Sequence, residues 1–201
     1  MAASTSGYRL GPDAGRVLIK TTRAGLAAKV GHDLTIDVAR WSAEIDVPAG
    51  IAPGATAGGE MSAATVAAEL DLGSLVVVAG TGGARPLSDS DRREIESTMR
   101  KILGGSGPTA AFRSTRVIPA AAGGAIEGTL TLNGRSRPVR LQLTGPAAGR
   151  YRGTVTVSQS AFGIRPYSGF FGALKLRDEV TAEFEVDLTR VADAEPASPD
   201  R

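Results

Sequence analysis

Apolar and polar residues alternate along much of this chain, and the alternation is cleanest near its end. Val180, Ala182, Phe184, Val186 and Leu188 are interleaved with Thr181, Glu183, Glu185, Asp187 and Thr189. A period of two puts the first set on one face of an extended strand and the second on the other. Val155 and Val157, set between Thr154, Thr156 and Ser158, repeat the pattern more briefly. Arg150 to Thr189 therefore reads as two long strands joined through Phe162-Gly163-Ile164 and Gly169-Phe170-Phe171-Gly172. Antiparallel pairing, with one wet and one buried face, is their simplest arrangement.

The same signal recurs upstream. Val17, Ile19 and Thr21 alternate within Arg16 to Arg23; Leu34, Ile36 and Val38 follow Gly31-His32-Asp33; Trp41, Ala43, Ile45 and Val47 form a third set. Sequential strands often pair, so Val38 to Trp41 is predicted to be a tight turn between neighbours. Pro48 to Glu60 is rich in Gly, Ala and Pro and reads as a loop. Strands are predicted again over Thr65 to Leu72, Leu75 to Val78, Ala110 to Ile118, Ile126 to Leu132 and Pro138 to Leu143. Asn133-Gly134 between the last two is a strong hairpin signal, although five residues separate the predicted strands. Pro138, which cannot donate to a ladder, belongs at a strand start or edge.

One stretch has helical spacing, from about Asp89 to Leu103. Ser88 precedes it with Asp91 three residues on, an approximate capping box. Acidic Asp89 and Asp91 stand at its positive end, basic Arg100 and Lys101 at its negative end, and Gly104 follows. Ile95, Met99, Ile102 and Leu103 share one face, so this amphipathic helix is predicted to lie on the sheet. A single helix cannot cover the apolar face of so many strands. Closure of the sheet on itself solves that, which predicts a mainly β protein: one antiparallel β-barrel of about eight strands. A barrel of that size is filled by side chains or holds one ligand. The inward candidates are mostly Val, Ala, Leu and Ile, and aromatics are only 4% of the chain, so the fillers are small.

Composition narrows the chemistry. The 201 residues suit one core; 42% hydrophobic and 22% charged residues are ordinary for a globular protein. The net charge is +2 with no single-sign tract, which argues against nucleic acid. Without cysteine there is no disulfide, thiolate site or cysteine nucleophile, and one histidine excludes a multi-histidine zinc site. No metal or cofactor is expected. Gly80-Thr81-Gly82-Gly83 follows an apolar strand, but Arg85 stands where a third dinucleotide-loop glycine would fall, and no P-loop Lys-Ser/Thr follows. His32 and Asp33 are adjacent on a strand and point to opposite faces, and there is no Gly-x-Ser-x-Gly elbow, so no catalytic residue is expected. Arg135, Arg137, Arg140, Arg150 and Arg152 read as a solvated rim. No run is long enough for a membrane span and Met1 to Gly7 is no signal peptide, which predicts a cytoplasmic protein.

Several motifs in order resemble the YceI-like family. They are Phe112-Arg113-Ser114-Thr115, Leu130-Thr131-Leu132-Asn133-Gly134 with Pro138-Val139-Arg140-Leu141, and Ser158-Gln159-Ser160-Ala161-Phe162-Gly163-Ile164 with Asp178-Glu179-Val180. The opening strand from Arg16 and the helix around Asp91 and Ile95 match in order as well, so the resemblance covers roughly Tyr8 to Arg190. It implies a lipocalin-like β-barrel domain over 8–190, with disordered tails at 1–7 and 191–201. It further implies non-enzymatic binding of an isoprenoid or other lipid in the barrel interior, for carriage or sequestration. The expected ligand-binding residues are Trp41, Ile45, Phe112, Leu141, Val155, Val157, Phe162, Val180, Ala182, Phe184 and Val186. The alternative function is a protein-interaction or stress-associated module with an incidental cavity. A homodimer is an assembly the sequence leaves open.

Overall fold

The computed structural model describes residues 5–48, 62–104, 107–120, 123–147 and 149–191. Residues 1–4, 49–61 and 192–201 lie outside the described residues, and with them most of both expected tails and of the Pro48–Glu60 loop. The protein is mainly β with one α-helix. In chain order the elements are β1 (Thr5–Leu10), β2 (Gly15–Thr21), β3 (Arg23–Ala24), β4 (His32–Val38), β5 (Trp41–Pro48), β6 (Thr65–Asp71) and β7 (Leu75–Gly82). Then come α1 (Asp89–Ile102), β8 (Thr109–Ala120), β9 (Gly123–Leu132), β10 (Arg135–Ala147), β11 (Arg150–Ser158), β12 (Ser168–Gly169), β13 (Leu174–Leu176) and β14 (Glu179–Asp187).

Eleven strands form one curled antiparallel sheet in the order β1-β5-β6-β8-β9-β10-β11-β14-β2-β4-β7, and β12-β13-β3 form a separate small sheet. The sequence pattern predicts about eight strands; the sheet has more because long alternating runs bend sharply and break. Residues 11–14 separate β1 from β2, Ala39–Arg40 separate β4 from β5, and a single 3₁₀ turn, Leu72–Ser74, separates β6 from β7. Val38 to Trp41 is therefore a corner and not a hairpin. Beyond it the chain keeps the same partner run, with Val38 opposite Leu75 and Trp41 opposite Leu70. Side chains satisfy the backbone that the bend frees. Ser74 Oγ accepts from Arg40 N (2.9 Å) and donates to the Asp71 carbonyl (2.6 Å), and the Arg40 guanidinium grips the Asp71 carboxylate at 2.7 Å. Thr5–Gly7, expected in the N-terminal tail, are the start of β1, paired with Pro48 to Asp46.

The Asn133-Gly134 hairpin is tighter than predicted. β9 and β10 extend to Leu132 and Arg135, leaving a two-residue turn with φ of 51° and 69°. Both central residues of a type I′ turn need positive φ, and Asn and Gly are the residues that tolerate it. Pro138 sits inside β10 opposite Thr129, but β11 pairs with β10 only from Gln142 onward. Its missing N–H therefore faces no partner strand.

The helix begins with the expected capping box between Ser88 and Asp91. It lies along β7, the last strand of the sheet, which is bonded on its other side to β4. Two side chains one turn apart act there as a missing strand would. Glu96 Oε1 accepts from Val77 N (2.9 Å), and Arg92 donates to the Val77 carbonyl (2.8 Å). Ile95, Met99 and Leu103 pack on the main apolar cluster, which includes Leu10, Ile36, Val38, Trp41, Leu72 and Val77. A second cluster, Val47, Ala64, Phe112, Val117 and Ile126, lies toward the other end of the sheet.

Candidate ligand-binding site

The concave side of the sheet encloses a cavity of about 760 Å³, within the size range of small-molecule sites. Alternation supplies its wall. Val155 and Val157 of β11 and Val180, Ala182, Phe184 and Val186 of β14 all face inward, with Ala182 opposite Val155 and Val180 opposite Val157. Trp41, Ile45, Phe112 and Leu141 line it from β5, β8 and β10. Ten of the eleven residues singled out in the sequence thus border one space. Phe162 does not. It closes the 3₁₀ turn Gln159–Phe162, beyond the end of β11 where the period of two no longer applies. It is 2% exposed, and its carbonyl accepts from Asn133 Nδ2 at the tip of the β9–β10 hairpin (3.1 Å).

Two phenylalanines border the cavity without crossing it. A Cβ on Gly153 would lie 2.1 Å from Phe184 Cζ, and one on Gly128 would lie 2.5 Å from the Phe112 ring. Each ring therefore covers a glycine on the adjoining strand, an arrangement that shields strand glycines. A side chain at either glycine would have to push its ring into the lumen.

Sequence patterning missed the rest of the lining. Leu87, Ile95, Thr98, Met99, Ile102 and Leu103 close one side from the helix segment, and Ile164, Tyr167, Leu174 and Leu176 close another from the β11–β14 connection. The helical period of Ile95, Met99, Ile102 and Leu103 marks a buried face, but it cannot say that this face borders a void.

Polarity is unevenly distributed. The charged liners Arg23, Arg85, Asp91 and Glu94 gather with His32 at one end. Arg23 donates to the carbonyls of Gly31 (3.1 Å) and Thr81 (2.7 Å), His32 Nε2 lies 2.8 Å from the Arg85 carbonyl, and Arg85 pairs with Asp91 at 3.0 Å. The Ser88 hydroxyl and N–H, helped by Arg85, hold the Asp91 carboxyl below the usual carboxylate range. Arg23, His32, Arg85 and Asp91 are thus tied to one another or to backbone. Asp33, across the strand from His32, accepts from Arg23 N (2.8 Å) and does not join a site with it. Just inside the charged end, Thr21 Oγ1 is buried in a residue that lines the cavity, with no hydrogen-bond partner among the described residues. A buried hydroxyl without a partner is uncommon and costly.

The outer face is different. Arg140 pairs with Glu127, Arg150 with Asp187 (3.0 Å), and Arg152 with Glu185 (3.0 Å), all with exposed guanidinium groups. Three of the five rim arginines thus form solvated ion pairs, while Arg135 and Arg137 are exposed with no ion pair among the described residues. Among the described residues no group of acidic or histidine side chains is placed to hold a metal ion, and no helix is long and apolar enough to cross a membrane.

A model of the YceI-like domain matches residues 17–188. No curated protein matches the chain. Among solved structures, BcnA of Burkholderia cenocepacia superposes with a TM-score of 0.58 at 15% identity, over 86% of this chain and 94% of that one. At that identity the likeness concerns the fold. A polyisoprenoid binding domain from Saccharophagus degradans, implicated in plant cell wall breakdown, aligns over 91% of this chain and 97% of its own, with TM-score 0.46 and 12% identity.

Proposed function

Since the chain belongs to the YceI-like family, we propose that it binds an elongated apolar or amphiphilic molecule, an isoprenoid or other lipid, inside the curled sheet, and carries or sequesters it without chemistry. The observation that carries this reading is the cavity of about 760 Å³ with an aliphatic wall and all its charged liners at one end. A lipid tail would lie along Val155, Val157, Val180, Ala182, Phe184 and Val186, and its polar end would sit near Thr21 and the charged rim. Each buried methylene is worth about 0.8 kcal/mol, so a long chain needs no specific polar contact to bind. Such a wall selects for length and flexibility.

The three broken runs β1–β2, β4–β5 and β6–β7, each taken as one bent strand, join β8, β9, β10, β11 and β14 in an eight-strand ring. We infer that this ring behaves as a closed barrel. Its helix-covered side, where only α1 and the β11–β14 connection stand between lumen and solvent, is the route by which a tail enters. No group in the lining pairs a nucleophile with a base, which supports binding without turnover.

Mass spectrometry of an organic extract of the purified full-length protein tests the reading. A long-chain lipid recovered in near-stoichiometric amount is expected. A protein that carries no lipid and takes up none from a mixed lipid extract would refute it.

A further inference from the structure

The small sheet β12-β13-β3 stands at the charged end of the cavity and presents apolar side chains to solvent. Phe171 and Leu26 are fully exposed, and Val30 is half exposed. The three belong to one tip, because Ala173 connects the loops that carry them. Its carbonyl accepts from Ala27 N (2.9 Å) and lies against Gly25, two residues from Phe171. Phe171 has φ of 54°, in the left-handed region that a bulky residue rarely adopts. A solvent-facing phenylalanine in such a conformation gains nothing from packing within this chain.

Charge surrounds the tip with one sign. Residues 22–31 and 163–177 contain five basic side chains, Arg23, Lys29, Arg165, Lys175 and Arg177, and no Asp or Glu. Lys29, Arg165, Lys175 and Arg177 are exposed and have no ion pair among the described residues. Of the acids around this end, Asp33 is bonded to Arg23, Asp91 is paired with Arg85 and Asp178 accepts from Ser160 N and Oγ, while Glu94 lies on α1 and Glu179 opens β14. Unpaired arginines also occur elsewhere, among them Arg113, Arg116 and Arg137; this cluster is set apart because it shares one tip with Leu26, Val30 and Phe171.

We propose that the Leu26–Val30–Phe171 tip docks on an anionic lipid bilayer surface. The exposed phenylalanine and leucine enter the headgroup–acyl boundary, and the four unpaired cations meet the lipid phosphates. Docking there sets the charged end of the cavity against the membrane. It stands independently of what the cavity holds.

Flotation with phosphatidylglycerol-containing and pure phosphatidylcholine vesicles, using the full chain, tests this. The wild type floats with the anionic vesicles and much less with the neutral ones. Phe171→Asn, which suits the left-handed backbone, combined with Leu26→Ser, lowers the affinity about 10-fold or more. Lys29→Gln with Lys175→Gln lowers it about 30-fold, from roughly 1 kcal/mol per cation near an anionic surface. All four side chains are exposed, so thermal melts remain unchanged. Absence of wild-type flotation, or unchanged flotation of the Phe171/Leu26 variant, overturns the proposal. So does a dimer in sedimentation velocity that this variant dissolves while vesicles bind neither protein, since the tip would then serve a second copy of the chain.

Discussion

The two sides of the cavity are built on different principles. On the β11–β14–β2 side the wall is a continuous ladder, in which Val155, Ala182 and Ile19 lie abreast on three adjacent strands. Backbone bonds fix every inward position there. On the other side α1 contains no fully buried residue and is held by Glu96, Arg92 and a few half-buried apolar side chains. Elements with few buried contacts open at low free energy, whereas core strands open only with the whole fold. A cavity with one stiff wall and one weakly held cover can admit a long flexible molecule without unfolding.

The largest effect is expected on the stiff side. Gly153→Val should force the Phe184 ring off its seat, because the new Cβ would fall 2.1 Å from Phe184 Cζ. Overpacking of this kind costs about 1–3 kcal/mol, read as a lower melting temperature together with loss of probe binding. A neutral result would mean that Phe184 has room to swing and that the wall is softer than its ladder suggests.

On the cover side a smaller and separable effect is expected. Glu96→Ala leaves Val77 N without its acceptor on a 3%-exposed residue, at a cost of about 1–2 kcal/mol. Hydrogen exchange should rise in Asp89–Ile102 and at Val77 while β11 and β14 stay protected. Glu96→Gln, which retains an acceptor oxygen, should restore most of the protection. Exchange that rises equally in β14 would show that cover and wall are one cooperative unit.

Thr21→Val gives a finer test. It removes a buried hydroxyl that has no partner among the described residues, so the empty protein should gain up to about 1 kcal/mol. Binding of a long-chain alcohol should weaken several-fold while that of the matching hydrocarbon does not. Equal effects on both ligands would place the polar end elsewhere.

Acid should have the least effect. Asp71 is held low by Arg40, Asp91 by Ser88, Glu185 by Arg152 and Asp187 by Thr189. For each the folded pKa is below the unfolded one. The stability they contribute is therefore complete above the ordinary values of 3.8 for Asp and 4.5 for Glu and is lost as pH falls through the lowered folded values. Being only partly buried and screened by solvent, they should produce only a shallow decline in melting temperature below about pH 4, with binding unchanged above it.

What the sequence disclosed follows the same division. The wall was legible because alternation is a local signal: Val155, Val157, Val180, Ala182, Phe184 and Val186 could be assigned to one face without knowing their neighbours. The corners were not. Ala39–Arg40 looks like a hairpin turn until Ser74 and Asp71, more than thirty residues away, are seen to absorb its backbone bonds. The helix was predicted with its capping box, yet nothing local says that Glu96 and Arg92 would complete the edge of β7. Phe162 was read in the connection between the two strands, but nothing local says that it turns away from the cavity and sits under Asn133. The charged end, where Arg23, His32 and Arg85 come together from separate segments, has no short-range signature at all.

The central claim, that the space behind β11 and β14 is where a ligand lies, is tested most directly by one pair of variants. Ala182 faces the lumen opposite Val155, and Thr181 faces outward, its hydroxyl 3.1 Å from that of Thr156. A fluorescent prenyl probe is titrated into Ala182→Trp and Thr181→Trp, with thermal melts confirming that both fold. The account predicts that the indole at position 182 fills the lumen and abolishes binding, while the one at 181 leaves it within a few-fold of wild type. Equal binding by the two would contradict it.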